Sequence, residues 1–334
     1  KYRQKMSANF ENDVYEWGRS LIEKVGYKAN KDSFVTLTNV FTLSRMFISP
    51  IPRRVHVSEN FTAPKNYDAV IKQIIHDLNV GHNVNARLSR RIRDKKVYTD
   101  RMLADWGIHH LHLGEEFISK GKNQGLIEGN KEILFVWVTN NDAYLIGIFD
   151  HDSWTKTQVL EIVHDNWYHL LKPYESPRDV RSTIEVTDLD RLELRNACIN
   201  TPVLVRGFFY MGLGGGLTCR NIGSNDVLKA NTVLRASDDL AEWVKNNYST
   251  LESYMSGAGI DFASETLEFD VSKFVISAMY TINCKPSNYR IHIQSQHEPY
   301  TLVPHGFEAV IEPSAEKREI QDHRPIKGLL IECG

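Results

Sequence analysis

The sequence predicts an α+β protein, with a central antiparallel sheet carrying helices on one face and a mixed helical and β-rich C-terminal domain. Three observations lead there. Apolar residues recur at helical spacing over residues 7–25, 66–78 and 155–171. Residues 108–113 have the length and bounding residues of a strand, and 133–138 and 143–149 are two short apolar runs joined by the polar turn Thr139-Asn140-Asn141-Asp142. Further strand-like runs at 273–282, 289–294 and 307–311 suggest a second antiparallel sheet.

The first helix follows from Phe10, Val14, Trp17 and Leu21, which fall on one face. Residues 34–48 are rich in β-branched and aromatic side chains and read as one or two strands, stopped by Pro50 and Pro52. A helix over 66–78 buries Tyr67, Val70, Ile71, Ile74, Ile75 and Leu78, and Gly81 ends it. The helix over 155–171 turns Val159, Leu160, Ile162, Val163 and Trp167 inward, and Pro173 and Pro177 then mark a boundary. Beyond it come a strand-like run at 203–211, a tight turn at Gly212–Gly216, and helices from Ser224 to about Ser253 with a break near Ser237. The expected organisation is 1–80 as a segment packing on the core, 81–177 as a central module and 178–334 as a C-terminal domain. The apolar stretch 328–331 closes the chain.

Hydrophobic residues at 42% and charged residues at 25% argue for a folded chain rather than a disordered one. No apolar run reaches the roughly 18–20 residues of a membrane helix, so no membrane partner is expected. Cys198, Cys219, Cys284 and Cys333 form no C-x-x-C pair, which favours a reducing compartment, the cytoplasm, and buried structural roles for Cys219 and Cys284. With a net charge of -2, any attraction for nucleic acid has to come from a local patch.

Two neighbouring segments carry candidate chemistry. Along the strand Ile108-His109-His110-Leu111-His112-Leu113, alternation puts His110 and His112 on one face and His109 on the other. Two imidazoles roughly 6–7 Å apart by strand rise suit acid/base work near neutral pH, and His151 in Asp150-His151-Asp152 completes the set if its strand is adjacent. The structural alternative is local hydrogen bonding in a half-buried sheet. Just upstream, Arg87, Arg90, Arg91, Arg93, Lys95, Lys96 and Arg101 face only Asp94 and Asp100. Such a run serves phosphate contacts, with Tyr98 and Trp106 as aromatics for stacking on unpaired bases; the plain alternative is a solvated helix face. The glycine run lacks the Gly-Lys-Ser/Thr ending of a nucleotide loop and the third glycine of a dinucleotide fingerprint.

The order of basic stretch, strand 108–114 and hairpin 133–138/143–150, ending at Phe149-Asp150-His151-Asp152, resembles the small RelE-type ribonuclease toxins over about 100 residues. The resemblance implies an antiparallel sheet, RNA as partner, His151 on the active face and cations from residues 87–101 on the substrate. Asp152 stands where that family usually has a basic residue. The segment 105–113 is also similar to uncharacterised bacterial proteins, which implies a toxin or defence component. The expected activity is RNA cleavage or RNA binding by a metal-independent endoribonuclease, without cofactor. Its catalytic candidates are His110, His112 and His151, and its substrate-binding candidates Arg90, Arg91, Arg93 and Trp106. A non-enzymatic scaffold binding a protein partner through its C-terminal half, and a metal-dependent hydrolase using the same histidines, are the alternatives.

Overall fold

A computed structural model describes residues 9–177, 186–295 and 307–313. They form two compact units: Phe41–Val227, and the described residues up to Val40 together with those from Leu228 onward. The architecture is α+β in both. The expected segments 1–80, 81–177 and 178–334 cut the chain differently. The strand Arg54–Val57 joins the sheet of the central segment, and Val203, Val205 and Tyr210 share that sheet's core.

In chain order the helices are α1 Phe10–Lys24, α2 Ser33–Met46, α3 Asp68–Val80, α4 Arg101–Trp106, α5 Thr157–Leu171, α6 Asp188–Asn196, α7 Ser224–Gly257 and α8 Val271–Ser277. The strands are β1 Arg54–Val57, β2 Ile108–His112, β3 Glu132–Val138, β4 Asp142–Asp150, β5 Val203–Val205, β6 Phe208–Tyr210, β7 Thr266–Phe269, β8 Tyr280–Lys285, β9 Tyr289–Ser295 and β10 Phe307–Pro313.

The central sheet has the order β1-β4-β3-β2. β2, β3 and β4 pair antiparallel, as the hairpin signal implied, but β1 pairs parallel to β4, so the sheet is mixed. Both faces are covered, which corrects the expectation of helices on one face. On one face Ile108, Phe135, Trp137 and Ile146 pack against Val159, Leu160 and Val163 of α5. On the other, the His109 ring reaches the backbone of Arg45 in α2. Covering on both faces explains why β3 reads as a continuous apolar run, with Leu134, Phe135 and Val136 all fully buried. Each such side chain contributes roughly 1.5–3 kcal/mol through burial.

Residues 34–46, most of the run expected as strand, are helical. Thr36, Leu37, Thr38, Val40, Phe41, Thr42, Leu43 and Met46 are all buried, so this helix has almost no polar face to betray its period. Asp32 caps it, its Oδ1 accepting from the amide of Val35. Helix α7 runs unbroken through Ser237, whose buried hydroxyl donates to the carbonyl of Leu234 instead of capping a new helix. Residues 203–211 fold as a β5–β6 hairpin turning at Arg206-Gly207, both with positive φ.

The glycine run does not join two strands; it is a place of close backbone approach. A Cβ on Gly214 would stand 2.6 Å from the carbonyl oxygens of Leu103 and Ala104 and from the amide of Gly107. The amides of Gly214 and Gly216 donate to the carbonyls of Asp105 and Ala104, satisfying the end of α4. Gly214→Ala is therefore expected to destabilise the protein by about 1–3 kcal/mol, the usual cost of overpacking. An unchanged urea midpoint would contradict that packing.

In the other unit, β7 to β10 make an antiparallel meander ordered β10-β9-β8-β7. Residues 273–277, expected as the start of a strand, belong to helix α8, which is capped by Asp270 on the amide of Lys273. Helix α1 is joined to this region by Asp13, which accepts from the amide of Phe269, and by the Trp17 indole, which donates to Ser272. The apolar stretch 328–331 and Cys333 lie outside the described residues. Among the described cysteines Cys284 is buried, and burial pushes its thiol up to about 12, whereas Cys219 is exposed, contrary to its expected structural role. No helix among the described residues is long and apolar enough to cross a membrane.

Candidate active site on the edge strand

The site begins with the way α4 hands over to β2. Asp100 caps α4, its Oδ1 accepting from the amide of Leu103, and Gly107 ends the helix in the left-handed region at φ 74°. Six helical residues then bring the cap back beside the third residue of the strand. The second oxygen of Asp100 lies 3.3 Å from Nδ1 of His110. The carboxylate is held by the helix and faces the Nδ1 edge of the imidazole.

Alternation along β2 behaves as the sequence requires. His110 and His112 share a face, with ring centroids 6.2 Å apart. His151, the first residue after β4, stands with its ring 5.4 Å from that of His112. The strands are not adjacent: β3 lies between them, and the register Glu132 opposite Asp150 carries His151 past the sheet's end. His151 Nε2 donates to the carbonyl of Asn130. His112 is buried, and its Nδ1 has no hydrogen-bond partner. Burial first, then the charges of His110, His151 and Arg90, push its pKa down to about 4, so it is neutral near pH 7.

Gly129 packs against the cluster. A Cβ there would stand 3.2 Å from Nδ1 of His112 and 3.8 Å from Nη2 of Arg90. The missing side chain thus lets this backbone pack directly against the His112 ring, near the Arg90 guanidinium.

The other predicted residues divide. Arg90, Arg91 and Arg93 are exposed. Arg90 belongs to the histidine cluster, Arg93 lies against Gly125, and Arg91 stacks 4.3 Å over Tyr98 while facing Asp94. Arg87 is structural, donating to the carbonyls of His112 and Gly114 at the end of the edge strand. Trp106, expected to stack on a base, is 1% exposed and covered by the Arg195 guanidinium 4.6 Å from its ring. It belongs to the core, because α4 must bury an anchor to position β2. Tyr98 is buried as well.

Asp100 and Gly129 are the members that sequence reasoning passed over. Asp100 counted only as a negative charge in a basic run; its place as a cap one short helix before a Gly-strand junction was the available signal. For Gly129 no sequence signal exists, since its neighbour His112 lies seventeen residues away. Among the described residues no group of three or more His, Cys, Asp or Glu side chains is arranged to hold a metal ion. Comparison with protein-family models, with curated proteins and with solved structures gives no match.

His109 serves the back of the strand. Its Nε2 donates to the carbonyl of Arg45, and burial pushes its pKa down to about 4. With a folded pKa below the ordinary 6.5, the unfolded chain takes up the proton first. The stability held above about pH 6.5 is therefore lost progressively as pH falls toward about 4, by roughly 3 kcal/mol for such a group. His109→Gln keeps a donor for Arg45 and removes this proton uptake. Urea unfolding at about pH 7.5 and about pH 5 should show a loss smaller by about 2 kcal/mol in the variant; equal losses would contradict the assignment.

Proposed function

We propose that this protein is a metal-independent endoribonuclease of the toxin or defence type, with the β2 edge as its active site. The observation that carries the reading is the convergence of His110, His112 and His151 with the orienting carboxylate of Asp100 and the guanidinium of Arg90. Metal-free RNA cleavage needs a neutral base, an acid, and cations on the phosphate. His112 is the base: neutral near pH 7, it takes the proton of the 2′-hydroxyl as O2′ attacks phosphorus. An anionic phosphate beside it offsets the repulsion from His110, His151 and Arg90. His110, held by Asp100, gives a proton to the departing 5′ oxygen as the P–O5′ bond breaks. His151 and Arg90 contact the phosphate while charge builds on its oxygens. The products are a 2′,3′-cyclic phosphate and a 5′-hydroxyl, and no oxidant or cofactor enters the balance.

The likeness of residues 81–177 to RelE-type toxins supports the same reading. A cytoplasmic setting, where RNA is abundant, accords with the described cysteines being free. Incubation of the purified protein with a single-stranded RNA in excess chelator is the test. Fragments ending in cyclic phosphate are expected at an undiminished rate. Cleavage that stops with the chelator, or fragments with 5′-phosphate ends, would contradict the mechanism.

A further inference from the structure

Burial of Trp106 and Tyr98 removes both aromatics that the sequence offered for base stacking, yet an exposed one stands close by. Phe117 is 63% exposed. It lies on the first arm of a ribbon formed by residues 114–129. Phe117 bridges Ile127, the amide of Ile118 donates to Leu126, and the amide of Glu128 donates to Glu116. The ribbon is fastened to the basic segment at several points. Lys122 pairs with Asp94 at 2.5 Å, the amide of Ile127 donates to Ala86, and Arg93 lies against Gly125. Its base is Gly129, which abuts His112 and Arg90. Ile127, the bridge partner of Phe117, and Gly129, which abuts His112, lie two residues apart on one arm, so the ribbon that carries Phe117 also packs against the histidine cluster.

We propose that Phe117 is the stacking platform for an unpaired base, and that it makes single-stranded nucleic acid the ligand of this site. The inference rests on the reading of the histidine cluster as a phosphodiester site, and adds the feature that selects the strand state. Backbone phosphates are drawn to Arg90 and Arg93 and kept off the ribbon's own arms by Glu115, Glu116 and Glu128. What the exposed ring can then receive is a base face, which any base supplies and a duplex withholds.

The test uses the full chain and a fluorescent 2′-O-methyl oligoribonucleotide, which binds without being cut, read by anisotropy at fixed salt. Phe117→Ala is expected to weaken binding about tenfold, within the range of a lost base stack, and Phe117→Trp to preserve it. An oligomer with abasic sites should bind wild type and Phe117→Ala alike. Because Phe117 is exposed, the alanine variant keeps its fold, and an unchanged urea midpoint verifies this. Equal binding by wild type and Phe117→Ala, equal binding of the duplex form, or no binding to any oligomer would overturn the proposal. Binding that depends on Phe117 in a protein that cuts no RNA would instead sink the catalytic reading and leave this one standing.

Discussion

Replacing His110 and His112 together by alanine is expected to lower RNA cleavage by at least about 10³-fold, since a positioned acid or base contributes about 10²–10⁴. Each single variant should come close to the double, because the two groups act in one displacement and their effects do not add. The fold should survive. His112 Nδ1 has no hydrogen-bond partner in the folded protein, so its removal orphans nothing at that atom, and His110 is only partly buried. Far-ultraviolet circular dichroism and the urea midpoint at neutral pH would verify this. Cleavage by the double variant at the wild-type rate would remove both residues from the mechanism. Asp100 is argued to act through His110, so Asp100→Asn should lower the rate and displace the pH profile while leaving substrate affinity unchanged. A merely structural role would lower the amount of folded protein without moving that profile.

The largest expected effect on stability lies behind the site. Asp226 is 2% exposed and accepts from the Thr42 hydroxyl at 3.0 Å and from Arg45 Nη2 at 2.5 Å. Gly223 sits directly over the pair, where a Cβ would meet both the guanidinium and the carboxylate. Arg45 is also the residue whose carbonyl receives His109, so the ion pair braces the back of β2. Asp226→Ala leaves a largely buried guanidinium uncompensated, and about 3 kcal/mol of stability should be lost, at the lower end for a broken buried pair because Arg45 keeps some exposure. That is a large share of the roughly 5–15 kcal/mol that holds a domain together. Urea denaturation measures it directly; a loss below about 1 kcal/mol would show that water replaces the carboxylate.

What could be read from the sequence follows from how each element meets solvent. Helices α1, α3 and α5 have one wet face, and their apolar spacing located them to within a few residues. Strands β3 and β4 were legible as short apolar runs around a polar turn, and β2 by its strand length between Gly107 and Gly114. Helix α2 was not, since burial on nearly every side erases the period and its Val, Thr and Phe content mimics a strand. Local capping by Asp32 and Asp270 was the decisive signal that apolar runs at 34–48 and 273–282 concealed. Alternation alone separated His109 from His110 and His112, so the histidine face was predictable. Arg90 and His151 were predictable partners of that face; Asp100 and Gly129 were not. These two reach it through a helix cap and a long ribbon, and Trp106 looked like a binding residue only because burial cannot be inferred from a tryptophan beside charges.

The central claim is that His112 takes a proton from a 2′-hydroxyl while His110 protonates the leaving oxygen. It is tested most directly with one single-stranded RNA and its counterpart carrying a single 2′-deoxy nucleotide at the cleaved position, both in excess chelator. Cleavage at that position with a cyclic phosphate end is expected in the first, and none there in the second. Equal cleavage of both at that position would contradict it.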